Sequence, residues 1–279
     1  MSQLEQLLCD LVSIDSTNPG IDPTGPGEAE VASYIAGWLE QAGVKVFLHE
    51  TIPGRPNVVG VVPGTGGGKT LMLNGHTDTV GANGMSDPHT PQIRDGRLYG
   101  RGSYDMKGGL AACMLALAGA TRLNLAGDVI FCAVMDEELS GQGTRDIASI
   151  YRADAAIIAE PTELELVVAH RGFVFLQVET IGVAAHGSRP HLGVDAILKM
   201  GKVLTALEAL DLDLRAHPSH PLLGSGSLHA SFIKGGQEPS TYPAECRLTL
   251  ERRTIPGETP QVVQAELQAI LDQLSSQDP

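Results

Sequence analysis

The stretch Leu71-Met72-Leu73-Asn74-Gly75-His76-Thr77-Asp78 runs from an apolar strand directly into an imidazole and a carboxylate, and its reading decides the fold. Two later stretches repeat the design. Val129-Ile130-Phe131-Cys132-Ala133-Val134 leads to Asp136-Glu137-Glu138, and Ala155-Ala156-Ile157-Ile158-Ala159 ends in Glu160. Short apolar runs that alternate with helical spacing predict buried strands of a largely parallel sheet. Ligands of open α/β sheets sit beyond the carboxyl ends of the strands. One imidazole and several carboxylates are therefore expected on one rim of one sheet, which is how a hydrolytic metal site is built.

Around these strands, Leu4, Leu7, Leu8 and Leu11 predict a helix over about residues 4–14, with Ser2 as its N-cap. A Pro/Gly-rich loop over 15–27 leads to a helix at about 28–42 that Gly43 closes, then to strands at 45–50 and 57–62. Residues 92–104 read as a small hairpin or loop around Asp95-Gly96, and Met106–Thr121 as an Ala/Leu-rich helix with Asp105 just before its first turn. A helix near 143–151 completes the layer. Residues 1–170 are thus expected to form an α/β catalytic, metal-binding domain: a mostly parallel sheet with helices on both faces.

Beyond about residue 170 the texture changes. A long alternating strand at 172–181 precedes a helix at about 193–209, strands near 226–234 and 244–251, and a helix at about 259–275. The order β-α-β-β-α is one strand short of the split βαβ, ferredoxin-like unit. Residues 171–279 are accordingly expected to form an α+β lid domain lacking its last strand.

Composition narrows the function classes. Hydrophobic residues make up 42% and charged residues 19% of the 279, as in soluble globular proteins. A formal net charge of −14 with no basic stripe argues against a nucleic-acid partner. Cys9, Cys113, Cys132 and Cys246 form no CxxC pair, and Cys113 and Cys132 read as core residues, so a reducing compartment fits and a zinc-thiolate site does not. No run reaches membrane-spanning length and no signal peptide is present, so no membrane association and a cytoplasmic location are expected. Pro63-Gly64-Thr65-Gly66-Gly67-Gly68-Lys69-Thr70 resembles a phosphate-binding loop at a glance. However, Pro63 stands where that motif needs glycine, and a strand rather than a helix follows. A flexible glycine turn is the expectation.

At the rim, His76 reads as a metal ligand and Asp78 as the carboxylate that orients its ring. Alone, a His-x-Asp pair is more simply a surface histidine beside an aspartate. Asp105, at a glycine-rich helix entry, reads alone as an N-cap; in this company its two oxygens suit two cations about 3.5–4 Å apart. Asp136-Glu137-Glu138 reads as a charged turn, or as acids whose mutual repulsion a cation offsets. In the second case one glutamate binds metal and its neighbour takes a proton from activated water. Glu160 supplies a further carboxylate.

Four segments carry a resemblance: Gly75-His76-Thr77-Asp78-Thr79, Gly100-Arg101-Gly102-Ser103-Tyr104-Asp105-Met106-Lys107-Gly108, Asp136-Glu137-Glu138 and Glu160-Pro161-Thr162. In order and spacing they resemble the motifs of the M20 family of metallopeptidases and deacylases, the group of acetylornithine deacetylase, succinyl-diaminopimelate desuccinylase, aminoacylase and carboxypeptidase G2. The resemblance implies His76 on one metal, Asp105 bridging two, Glu137 as general base, Glu138 on one metal and Glu160 on the other. It also implies cleavage of the amide of an N-acyl amino acid or small peptide. Zinc is the ion expected for these donors, two per complete site, with cobalt or manganese as substitutes.

Gly182-Val183-Ala184-Ala185-His186-Gly187-Ser188-Arg189-Pro190 is similar to the lid segment whose histidine helps stabilise the oxyanion, often from the partner subunit of a homodimer formed through the lid. That places His186 in this role, although on its own it reads as an ordinary loop histidine. Ser240, after Gly235-Gly236, stands where the family often has asparagine as a substrate contact. Arg253, before Pro256-Gly257-Glu258, matches an arginine that clamps a substrate carboxylate; it reads equally as a surface arginine on an alternating strand.

Family members return from the lid with a last histidine ligand. Here His191, His217, His220 and His229 all lie in lid-like sequence. The chain therefore reads as a C-terminally shortened form, expected to hold one metal weakly and to turn over slowly or not at all. The alternative is a non-catalytic remnant acting as a metal-binding or interaction module. No GxSxG surrounds any serine, which sets a serine hydrolase aside.

Overall fold

In the computed structural model, which describes residues 1–277, the chain divides into two compact units, Met1–Glu165 and Leu166–Pro279. The first is built on strands β1 (Lys45–Ile52), β2 (Arg55–Val62), β3 (Leu71–His76), β6 (Val129–Val134) and β7 (Ala155–Ile158). They lie in the order β1-β2-β6-β3-β7. The site-bearing strands β6, β3 and β7 are mutually parallel. The other two pairings are antiparallel, which makes the sheet mixed. The reason is local. A tight turn with Gly54 at φ 78° joins β1 to β2, and so short a link forces a hairpin, whereas parallel neighbours need crossover segments. Those crossovers contain helices α3 (Gly108–Ala120) and α4 (Gln142–Ile150), with a short β4–β5 hairpin (Gln92–Arg94, Arg97–Tyr99) before α3.

Successive strand residues point to opposite faces, and both faces are covered along β2, β3 and β6, whereas β7, expected to be a buried strand, is an edge strand exposed along its length. Val58, Leu73, Phe131 and Ala133 pack against Leu7 and Leu11 of α1 (Gln3–Ser13), Ile35 and Leu39 of α2 (Ala29–Gln41), and Leu110, Met114 and Leu117 of α3. Val59, Ile130, Cys132 and Val134 pack with Ile147 of α4 on the opposite face. Each of the larger side chains among these (Val, Leu, Ile, Phe, Met) contributes roughly 1.5–3 kcal/mol through burial. This is why β6, buried along its full length, reads as an unbroken apolar run. Ser2 caps α1 as its sequence predicts, accepting a bond from the Glu5 amide.

Three local features depart from the sequence reading. The turn over Pro63–Gly68 is clamped rather than flexible: the amides of Thr65 and Gly66 donate to the carbonyls of Leu125 and Ala126 at 2.8 and 3.0 Å. A Cβ on Gly127 would lie 1.9 Å from the Lys69 carbonyl oxygen, so the two loops interlock through bare backbone. Helix α3 begins at Gly108 instead of Met106. Inside a single wide turn over 103–107, Asp105 is extended (φ −119°, ψ 101°) and Met106 is non-helical (φ −128°, ψ 32°), and the peptide bond between them is cis. From this extended stretch the Asp105 carboxylate reaches the sheet rim, 3.0 Å from His76 Nε2.

The second unit carries a three-stranded antiparallel sheet in the order β8-β10-β9 (Gly172–Ile181, Glu245–Thr254, Ser227–Gly235). Helices α5 (Ala196–Ala216) and α6 (Pro260–Gln277) contribute Met200, Val203, Leu207 and Leu267 to a core with Val178, Leu248 and Leu250. The order β-α-β-β-α agrees with the sequence reading. Helix α5 runs a further two turns past its predicted end, because no glycine or proline interrupts it before Pro218; Asp195 caps its start. No helix among the described residues is long and apolar enough to cross a membrane.

Candidate functional site

Strand β3 delivers His76 to the rim with its side chain almost fully buried. Nδ1 lies 2.9 Å from the carbonyl oxygen of Asp78, which can only accept, so Nδ1 carries the proton. Nε2 faces the carboxylates: Asp105 Oδ1 at 3.0 Å, Glu160 Oε1 at 3.7 Å and Glu137 Oε2 at 3.8 Å. Two groups of donor atoms, His76 with Glu137 and Glu160, and His76 with Asp105 and Glu138, each lie within 4.8 Å of one another.

The electrostatics are those of a site short of positive charge. Burial by itself would push the His76 imidazolium down, yet the hydrogen bond to Asp105 and the charges of Asp78 and Glu160 outweigh it and hold it up at about 11. Burial, then the repulsion of Asp105, Asp78 and Glu137, pushes the Glu138 carboxyl up to about 7 against the pull of His76. Glu160 is raised as well, chiefly by burial. Asp78 is lowered in spite of its burial by His76, Asn18 and the Glu137 amide. A divalent cation against Nε2 would neutralise the same acids, so the donor set fits the metal that the sequence implies.

The carboxylate of Asp78 is 3.6 Å from Nδ1, beyond hydrogen-bond range; its close partners are the amides of Glu137 (3.0 Å) and Glu138 (3.2 Å) and the side chain of Asn18 (2.7 Å). It holds the acidic turn as well as facing the ring. Behind this turn, Arg55 grips Glu28 with two nitrogens at 2.5 and 2.7 Å and reaches Asp136 at 3.1 Å. Lys107, buried and pushed down to about 8 by that burial, donates to the carbonyls of Leu11 and Ile14 and so ties the Asp105 turn to the end of α1. Asn18, Glu28, Arg55 and Lys107 were not picked out by the sequence reading. Asn18, Glu28 and Arg55 are single polar residues outside the motif segments, Lys107 lies within one but was given no role, and the importance of each lies in burial that spacing does not show.

His186, Ser240 and Arg253 belong to the second unit. His186 is exposed on the loop between β8 and α5, where its Nδ1 accepts the Ser188 amide at 3.2 Å with Ser188 Oγ 2.9 Å away; in the neutral ring Nε2–H is therefore the free donor. The Ser240 carbonyl accepts the Gly187 amide at 2.7 Å, so Ser240 lies beside the His186 loop. Arg253, half exposed, bonds Glu251 at 2.8 Å and stacks over Phe173 with its guanidinium 5.4 Å from the ring centre. It borders an open cleft of about 470 Å³ with His170, Arg171, Leu222 and Leu223.

An α/β sheet with an imidazole and four carboxylates gathered at the ends of its parallel strands defines a metal-dependent hydrolase. Comparison with known proteins agrees with that class. The signature of peptidase family M20/M25/M40 matches residues 72–277, and the chain belongs to this family. It is 30% identical to an N-formyl-4-amino-5-aminomethyl-2-methylpyrimidine deformylase of Bacillus subtilis, over 99% of this chain and 68% of the relative. It is 33% identical to an acetylornithine deacetylase of Myxococcus xanthus, over 99% of this chain and 73% of the relative. Among solved structures, the M20 metallo-carboxypeptidase Sso-CP2 of Sulfolobus solfataricus superposes with a TM-score of 0.79 at 18% identity, covering 99% of this chain and 76% of that one. Aminopeptidase PepT of Bacillus cereus gives a TM-score of 0.73 at 21% identity, covering 99% and 73%. These two likenesses concern the fold.

Proposed function

We propose that this hydrolase cleaves the amide of N-acyl amino acids or small peptides, with Glu137 as general base and His76, Asp105, Glu138 and Glu160 as metal ligands. The observation that carries the reading is the pair of overlapping donor groups around one His76 Nε2. One ring nitrogen can ligate one ion, so carboxylates must complete a second position, and Asp105 has two oxygens to share. Mixed imidazole and carboxylate donors favour zinc, with cobalt or manganese accepted. When bound, such ions supply Lewis-acid polarisation of the scissile carbonyl and a water acidic enough to lose its proton near neutral pH. Glu137 takes that proton and returns it to the leaving amine. Asp78 keeps the Glu137 amide in place, and the His76 Nδ1–H bond to the Asp78 carbonyl keeps Nε2 free for ligation.

From the second unit, His186 would donate through Nε2–H to the oxyanion, and Ser240 and Arg253 would contact substrate. The cleft with His170 and Arg171 beside Arg253 supports a carboxylate-bearing substrate, as do the deacetylase relatives. The exposed edge strand β9, with Phe232 and Ile233 open to solvent, supports a homodimer through this unit, which light scattering checks. Four free cysteines support a reducing, cytoplasmic setting.

Metal content of the purified chain, measured with hydrolysis of a panel of N-acyl amino acids, tests the reading. Bound zinc together with chelator-sensitive release of the amine, abolished by Glu137→Gln without loss of metal, is the supporting result. A chain that binds no divalent ion at the rim overturns it.

A further inference from the structure

We propose that Asn18 is a positioning residue for the catalytic turn, fixing Glu137 and Glu138 by bridging the carboxylates of Asp78 and Asp136. This rests on the reading of Glu137 as base and Glu138 as ligand. Both glutamates follow β6 outside any helix or strand, so regular backbone pairing does not hold them. Their amides are satisfied instead by one side chain, Asp78, through Oδ1 at 3.0 Å and Oδ2 at 3.2 Å. The orientation of Asp78 therefore sets the turn.

Asn18 sets the orientation of Asp78. Its Nδ2 donates to Asp78 Oδ2 at 2.7 Å and to Asp136 Oδ1 at 3.0 Å, one proton for each carboxylate. A neutral amide with two hydrogens suits this place; an aspartate there would bring a third negative charge, and an alanine would leave both acids short of a donor. Asn18 is itself fixed, fully buried, with its backbone N–H donating to the Thr79 carbonyl at 2.9 Å and its Oδ1 accepting the Gly20 backbone N–H at 2.9 Å.

The far side of the turn is held by the same construction. Asp136 has φ 63°, a left-handed conformation uncommon outside glycine that an aspartate adopts when its side chain is hydrogen-bonded. Here Arg55 and the Ser140 hydroxyl bond its carboxylate, while Glu28 Oε1 accepts its amide at 3.2 Å. Asn18 joins this group to Asp78. The three amides of 136–138 are thus all accepted by buried carboxylates, and their exchange with solvent reports on the network directly.

Hydrogen exchange of the peptide covering 136–141 is measured without added metal, alongside cobalt(II) titration followed by visible absorption, for the parent chain, Asn18→Ala and the milder Asn18→Ser. The expected result for Asn18→Ala is exchange about tenfold faster in this peptide, with protection of α3 and β6 unchanged. Cobalt affinity falls about 10- to 100-fold, as for loss of a group that orients ligands. On an acyl amino acid, kcat falls more than KM rises. Unchanged exchange and cobalt affinity overturn the proposal. If Asn18→Ala loses protection everywhere, Asn18→Ser decides on the same readout, and global loss there too overturns it by making Asn18 a folding element. A parent chain that binds no cobalt while Asn18→Ala still loosens this peptide sinks the metal reading and leaves the positioning role standing.

Discussion

Asp78 and His186 both serve candidate chemistry, but the molecule holds them in opposite ways. Asp78 is buried and bonded to Asn18 and two backbone amides, in a network that continues through Asp136 to Arg55 and Glu28. His186 stands exposed on a loop, tied to Ser188. The first arrangement places groups through charges that cannot be left unpaired, so function and stability share residues. The second leaves a donor whose removal costs the fold little. Substitutions in the buried network behind the rim should therefore disturb stability, metal and rate together, whereas loop substitutions should touch rate alone.

The largest effect expected is that of Glu137→Gln. It should lower kcat about 10²–10⁴-fold, the range of a positioned general base, with metal content measured by elemental analysis unchanged. Retained turnover would remove Glu137 from the role of base. Next, Arg55→Met leaves Glu28 and Asp136 buried without their cation and should cost about 3–5 kcal/mol, read from the urea midpoint. A shift below about 1 kcal/mol would break the comparison by showing that the rim network is dispensable. His186→Ala should slow turnover about 10²–10³-fold, as for loss of one oxyanion donor, and leave the urea midpoint in place. A parallel loss of stability would erase the contrast between the regions. The smallest effect falls on Arg253→Lys, which keeps charge but loses the planar fork. KM for carboxylate substrates should rise about tenfold with kcat and stability unchanged. If KM does not move, the cleft beside Arg253 is not where the carboxylate sits.

Much of the first unit's architecture was legible because its central strands β2, β3 and β6 are largely buried. Continuous apolar runs such as Val129–Val134 need no partner to be recognised, and the acids at their ends stand out against them. Spacing served less well where a side chain overrides propensity. The Ala/Leu pattern ran helix α3 back to Met106, but the turn over 103–107 holds Asp105 extended at the rim. The glycine turn was legible as a turn and not as a clamp, since its hold comes from backbone bonds to residues 125–126, some 60 positions away.

By itself the sequence determined which residues end the parallel strands, and with them the donor types of a metal hydrolase, because period, burial and strand length are local properties. The tertiary structure alone decided how those donors are held. Asn18 meets Asp78 and Asp136 across 60 and 118 positions, and Arg55 meets Glu28 across 27. No local pattern records such meetings. They exist because packing brings five distant polar groups into one buried space, where each must find a partner or destabilise the fold.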